Sequence, residues 1–196
     1  MKANRCRVKF CGMTNLDDCK KAVDLGVNYL GFVFYKKSGR YVTPRTAMRI
    51  IEKLDGCAST VGVFVEETDE EIKEIVDLCG VNLAQVYRES GVKNKITAYR
   101  VADHLPARHR DGLILYDSYT KGYGGSGTPF PYSLLENCET LDRSFIAGGI
   151  NEENVREVLS LHPFGVDLVS SIEAHKGKKD YRKMETFMKT IRSIVS

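Results

Sequence analysis

A chain of 196 residues with 42% apolar and 28% charged residues is long enough for one domain with a substantial core, and residues 1–196 are expected to form a single domain. Its net charge of +3 comes without a basic run interleaved with aromatics, which argues against a nucleic-acid surface, and no stretch is apolar enough to span a membrane. Nothing like a signal stretch precedes the first strand-like run, so a cytoplasmic protein with reduced cysteines is expected.

Short apolar runs alternate with amphipathic stretches. Residues 8–11 read as a strand, and Asn15 then caps a helix to about Leu25. Residues 29–34 form a second strand candidate, followed by a helix that opens at Pro44 and runs to about Leu54. Residues 61–65 are a third, after which Thr68 and Glu71 have the spacing of a capping box for a helix that ends near Cys79-Gly80. Residues 83–86 are a fourth, but only nine residues separate them from the fifth at 96–101, too few for a crossover helix. The next connection, through His104-Leu105-Pro106, has little helical pattern either. Residues 112–117 are the sixth candidate, 145–147 the seventh and 166–169 the eighth. Helices are expected at 151–161 and 180–195. The pattern predicts an α/β fold, a (β/α)8 TIM barrel with one or two helical connections shortened around residues 87–111; a doubly wound sheet needs fewer strands.

In such a barrel the C-terminal ends of the strands carry the chemistry. Cys11 ends the first candidate and Asp117 the sixth. Lys9, two residues before Cys11, projects to the same side, where an ammonium beneath the sulfur favours thiolate. A buried apolar cysteine and a turn aspartate are the ordinary fates of these residues; paired at one mouth, they suggest a base and an acid. Arg40, in the loop Lys36-Lys37-Ser38-Gly39-Arg40-Tyr41, is placed to clamp a carboxylate. Gly148 and Gly149 follow the seventh strand, and Ser170 and Ser171 the eighth, where barrels frequently bind phosphate. The expected partner is therefore a small phosphorylated molecule. The six cysteines show no Cys-x-x-Cys and no histidine at ligand spacing, so no metal is expected. The helix faces lack an evident apolar stripe, which points to a monomer.

With these pieces located, the chain resembles the phosphoribosylanthranilate isomerases. The carriers are Val8-Lys9-Phe10-Cys11-Gly12-Met13-Thr14-Asn15, Gly31-Phe32-Val33-Phe34-Tyr35 and Ser38-Gly39-Arg40-Tyr41-Val42-Thr43-Pro44. Val61-Gly62-Val63-Phe64-Val65, Tyr123-Gly124-Gly125-Ser126-Gly127, Gly148-Gly149-Ile150-Asn151 and Gly177-Lys178-Lys179-Asp180 follow in family order. The resemblance implies an Amadori rearrangement in tryptophan biosynthesis without metal or organic cofactor. It puts the general base on Cys11, the general acid on Asp117 and the anthranilate carboxylate on Arg40. The chain departs from the family in Gln85-Val86-Tyr87-Arg88, where Gln-Leu-His-Gly is usual, in Thr128-Pro129 for a Lys-Thr, and in Val169-Ser170-Ser171 for Ser-Ser-Gly. These departures keep two other readings open: an isomerase for another aminoaldose phosphate, and a phosphate-ligand binder without catalysis.

Overall fold

The computed structural model describes residues 6–106, 111–119 and 129–195. Eight parallel strands close into one barrel in sequence order. They are β1 (Arg7–Phe10), β2 (Tyr29–Val33), β3 (Ser59–Phe64), β4 (Leu83–Val86), β5 (Lys95–Val101), β6 (Leu113–Ser118), β7 (Ser144–Ile146) and β8 (Gly165–Leu168). All eight expected strands form, with ends moved by one or two residues. Closure is made by β8 against β1, in a register that sets Lys9 opposite Asp167.

Alternation along each strand divides the core in two. Inward residues Val61, Ile96, Ala98, Leu115, Phe145 and Ala147 fill the barrel. The Tyr29 and Phe145 rings meet there edge to face at 5.2 Å. A second inner group, Cys11, Val33, Tyr35, Val63 and Val65, lies nearer the strand ends, and Tyr87 packs against both. Outward residues such as Phe10, Phe32, Phe64, Val86, Ile114 and Leu168 join the helices in the larger core. Each fully buried side chain of this size contributes roughly 1.5–3 kcal/mol. The interior is thus a packed plug with a polar mouth.

Helices α1 (Leu16–Asp24), α2 (Pro44–Leu54) and α3 (Asp69–Cys79) follow the first three strands. Their starts are local chemistry: Asn15 accepts from the Asp18 N–H, Thr43 from the Thr46 N–H, and Thr68 with Glu71 completes the capping box. After β7 the expected helix from Asn151 is shorter, α4 being Val155–Ser160. Its missing first turn is diverted: Asn151 Oδ1 accepts from the N–H groups of Glu153 and Asn154, and Asn154 Nδ2 donates to the Gly149 carbonyl. The side chains that begin a helix elsewhere here hold the Gly148-Gly149 turn.

After β8 the chain makes a two-stranded antiparallel hairpin, β9 (Glu173–His175) and β10 (Lys178–Lys179), and then α5 (Tyr181–Val195). Short spacing had predicted gaps in the helical cladding, and both connections around 87–111 lack a helix among the described residues. The connection after β6 holds only 3-10 turns at Tyr132–Leu135 and Leu141–Arg143 among those residues. The glycine-rich run 122–127, the motif Tyr123–Gly127 and Thr128 lie outside the described residues.

Candidate active site

Cys11 follows the last residue of β1, buried at 5% exposure. Gly31 on β2 makes the room, since a Cβ there would lie 2.6 Å from the Cys11 sulfur. Lys9 sits beneath it, wholly buried, as strand parity predicts, within electrostatic reach of the thiol. Its ammonium also pairs with Asp167 Oδ1 at 2.9 Å. Burial disfavours the Lys9 charge, but the Asp167 carboxylate and the sulfur outweigh it and raise its pKa, so Lys9 is a cation. The thiol does not benefit as fully as the sequence suggests. Burial pushes its pKa up, Lys9 opposes the rise, Asp167 adds to it and Lys179 opposes it, and burial wins. Cys11 is therefore a neutral thiol at rest and a strong base once ionised.

Asp117 is the inward residue near the end of β6. Its carboxyl is pushed up to about 6, mainly by burial; a hydrogen bond from Tyr87 pulls the other way, and Asp167, Lys9 and Arg100 make smaller contributions. Tyr87 Oη donates to Asp117 Oδ2 at 3.0 Å and receives Gln85 Nε2 at 3.1 Å. The same phenol lies within electrostatic reach of Cys11 and Asp167. One hydroxyl thus stands between the two residues that the sequence paired.

Arg40 is brought to the same mouth, buried at 7% exposure, and packs against the backbone after Cys11. Gly12 allows this: its φ of +75° suits glycine, and a Cβ would lie 2.6 Å from Arg40 Cδ. The guanidinium grips Glu173 in a fork, Nε to Oε1 at 2.9 Å and Nη2 to Oε2 at 2.7 Å. Glu173 is shared with Lys179, whose Nζ lies 3.3 Å away and also donates to the Cys11 carbonyl at 2.6 Å. Burial would raise the Glu173 pKa, but the Arg40 hydrogen bonds and the Lys179 charge hold it below the ordinary carboxylate value. Burial lowers that of Lys179. Three buried cations, Lys9, Arg40 and Lys179, thus face two buried carboxylates, Asp167 and Glu173.

Three of the four expected phosphate residues line one cleft of about 470 Å³, namely Gly149, Ser170 and Ser171, together with Asn151 and Lys183. Ser171 Oγ is buried there without a protein hydrogen-bond partner. Gly148 turns away, and its carbonyl accepts from Ser118 Oγ at 3.2 Å. The sequence reading missed Asp167, Glu173, Lys179, Gln85 and Lys183. Of these, Asp167 had a local signal, since it alternates with Val169 on a strand that must close the barrel. Glu173 had none, and Lys179 was visible only within the Gly177-Lys178-Lys179-Asp180 motif of the resemblance, because a Lys-Lys pair near a glycine otherwise reads as solvated loop.

The molecule resembles known proteins along nearly its whole length. Residues 8–190 match the family model described as N-(5'-phosphoribosyl)anthranilate (PRA) isomerase. The N-(5'-phosphoribosyl)anthranilate isomerase of Sulfurovum sp. is 36% identical over 197 residues, covering 96% of this chain and 100% of that protein. The crystal structure of phosphoribosyl anthranilate isomerase from Thermotoga maritima superposes with a TM-score of 0.84 at 36% identity, covering 96% and 99% of the two chains. A structure of phosphoribosyl anthranilate isomerase in complex with reduced 1-(o-carboxyphenylamino)-1-deoxyribulose 5-phosphate superposes with a TM-score of 0.81 at 33% identity, over 96% and 99%.

Proposed function

From the premise that the chain belongs to the N-(5'-phosphoribosyl)anthranilate isomerase family, we propose how its own side chains carry the reaction. The protein is an isomerase of tryptophan biosynthesis, converting N-(5'-phosphoribosyl)anthranilate to 1-(2-carboxyphenylamino)-1-deoxyribulose 5-phosphate. The observation that carries the assignment is the Tyr87 hydroxyl, bonded to Asp117 and within electrostatic reach of Cys11, at the mouth of a dry barrel. Asp117 gives its proton to the furanose ring oxygen. The C1'–O bond breaks as the anilino nitrogen's lone pair forms C=N. Cys11, as thiolate, takes the C2' proton; those electrons form C1'=C2', and the C=N pair returns to nitrogen. The resulting enolamine tautomerises to the ketone. Proton transfers between side chains and substrate suffice, so no metal or organic cofactor enters the scheme.

The substrate brings a carboxylate and a phosphate. Arg40 is assigned the carboxylate through the N–H groups that Glu173 does not take. Gly149, Ser170 and Ser171 are assigned the phosphate, with Gly148 shaping the turn and Lys183 adding a cation at the cleft. The cations placed at the two ends, Arg40 for the carboxylate and Lys183 for the phosphate, support this division.

The resting protonation states are the reverse of those the reaction uses. With the thiol raised and the carboxyl near 6, neutral pH favours Cys11 as thiol and Asp117 as carboxylate. The active form, thiolate with carboxylic acid, contains the same number of protons. Its share is therefore constant between the two titrations. It falls below pH about 6, where Asp117 gains a proton and Cys11 stays neutral, and above the thiol's value, where both are ionised. A bell-shaped profile with its lower limb near 6 is expected.

The test is turnover of freshly generated phosphoribosylanthranilate, followed by loss of anthranilate-type fluorescence. The parent should turn over, and Cys11→Ser and Asp117→Asn should each lose about a thousandfold or more while remaining folded. Wild-type rates in either variant would remove that residue from the scheme. The described residues close a single barrel, which supports reading the chain as one catalytic domain. Their large exposed apolar side chains are Leu78, Tyr119 and, at opposite ends of α5, Tyr181 and Val195; this scatter supports a monomer, and light scattering at twice the chain mass would overturn that. None of their helices is long and apolar enough to cross a membrane. Cytoplasmic residence is the reading that the pathway supports.

A further inference from the structure

Gln85 and Tyr87 perform no step above, yet one of them holds the acid. They alternate on and just past β4, so both face the interior. Gln85 is 1% exposed, and the Tyr87 ring is wedged against both inner clusters. A phenol has one proton to donate. Gln85 Nε2 donates into the phenolic oxygen at 3.1 Å, and the phenol's own proton points at Asp117 Oδ2 at 3.0 Å. We propose that Tyr87, oriented by Gln85, is a positioning residue that fixes the Asp117 carboxyl and stabilises the carboxylate it becomes when its proton leaves. The proposal rests on Asp117 being the general acid.

Several charged groups face this hydroxyl and its acceptor: Lys9 and Cys11 from β1, Asp167 from β8 and Arg100 from β5. Burial and the neighbouring acidic groups push the phenol's own pKa well above its usual value, so Tyr87 remains a donor wherever the enzyme works. Oδ2 already accepts from Tyr87, so the transferable hydrogen of the neutral acid is carried on Oδ1. A hydrogen bond to the ionised form favours it over the neutral form. Tyr87 thus makes a buried carboxylic acid readier to give up its proton, while burial keeps part of it protonated near neutrality.

The test is Tyr87→Phe, which removes one oxygen and keeps the ring. Gln85→Met is the second variant, leaving the phenol but not its orienting donor. The first readout is the titration of Asp117 by carbon NMR of carboxyl-labelled aspartate, assigned with Asp117→Asn. The second is the pH dependence of turnover. In Tyr87→Phe the Asp117 midpoint should rise by about one unit, as expected for a lost hydrogen bond to a charged group. The lower limb of the kcat/KM profile should move with it to higher pH, with little change in KM. Gln85→Met should move the midpoint in the same direction by less. An unmoved midpoint in folded Tyr87→Phe overturns the proposal, as does a change in KM alone. A shifted midpoint with an unmoved turnover profile supports the hydrogen bond proposed here, and overturns instead the assignment of Asp117 as acid.

Discussion

Along β1, β2, β3, β7 and β8 every strand leads to an α-helix, whereas β4, β5 and β6 are joined among the described residues by loops and 3-10 turns. The clad arc holds Cys11, Arg40 and the serines of the phosphate cleft; the bare arc holds Asp117, Tyr87 and Gln85. Their means of fixing a side chain differ. On the clad arc the mouth is tied by buried ion pairs, Lys9 to Asp167 and Arg40 and Lys179 to Glu173. On the bare arc it is tied by neutral donors, Gln85 to Tyr87 to Asp117. A closed barrel satisfies its strands on both edges, so helices are covers rather than joints. The bare arc finds other covers. β5 and β6 pair along their length, from Ile96 opposite Leu113 to Val101 opposite Ser118. Phe130, Tyr132 and Leu135 are buried beside them in the outer core. Arg88 reaches back to Asp69 on α3 at 2.7 Å, which anchors the short loop after β4.

Breaking the charged arc should have the largest effect. Glu173→Gln leaves Arg40 and Lys179 buried without the carboxylate that both of them pair with, and about 3 kcal/mol of stability should go. Denaturant unfolding will read that loss. KM should rise in the same variant, because the guanidinium that meets the carboxylate is no longer held. A stability loss with unchanged KM would separate Glu173 from the substrate.

The acid's arc should answer in the opposite sense. An aspartate in the unfolded chain ionises near 3.8, and this one near 6. The folded state therefore holds the Asp117 proton more tightly. Its contribution is fully present below the unfolded value and is lost as pH rises through the folded value. Above about pH 7 the ionised carboxylate costs the fold about 3 kcal/mol. Asp117→Asn should remove that cost, raising Tm by roughly 6–12 °C near pH 7.5 and by little near pH 4, even as turnover collapses. Thermal unfolding at both pH values checks it, and equal shifts at the two would remove the electrostatic cause.

What could be read from the chain follows the range of the interactions. Helix starts depend on residues within three positions, so Asn15, Pro44 and the Thr68–Glu71 box were legible. The missing helices were legible too, because nine residues cannot make a crossover. The reading of 151–161 as helix failed in its first turn, where the Asn151 and Asn154 side chains hydrogen-bond the backbone instead. Cys11 and Asp117 were legible as a pair by position, and Lys9 by parity. The partners that decide their charges were not. Asp167 is 158 residues from Lys9 and Glu173 is 133 from Arg40, and both meetings exist only once β8 closes on β1. So the sign of the Cys11 shift was beyond reach: an ammonium beside a thiol is visible in sequence, but its carboxylate and the dryness around it are not.

The smallest expected effect tests whether the bare arc's cover and its mouth are separable. Tyr116 and Asp117 are neighbours on β6 and point to opposite faces. Tyr116 is wholly buried outside the barrel, where its hydroxyl meets Thr140 Oγ1 at 2.8 Å and Cys138 Sγ at 3.4 Å. The Tyr116→Phe variant keeps the ring and leaves Thr140 with Ser144 Oγ at 3.5 Å and Cys138 Sγ at 3.2 Å. About 1 kcal/mol should be lost, a fall of roughly 2–4 °C in Tm. Because the strand stays paired on both edges, the Asp117 titration and kcat should not move. If they do move, the outer cover helps to position the acid, and an arc without helices is held through its covers as well as its ladder.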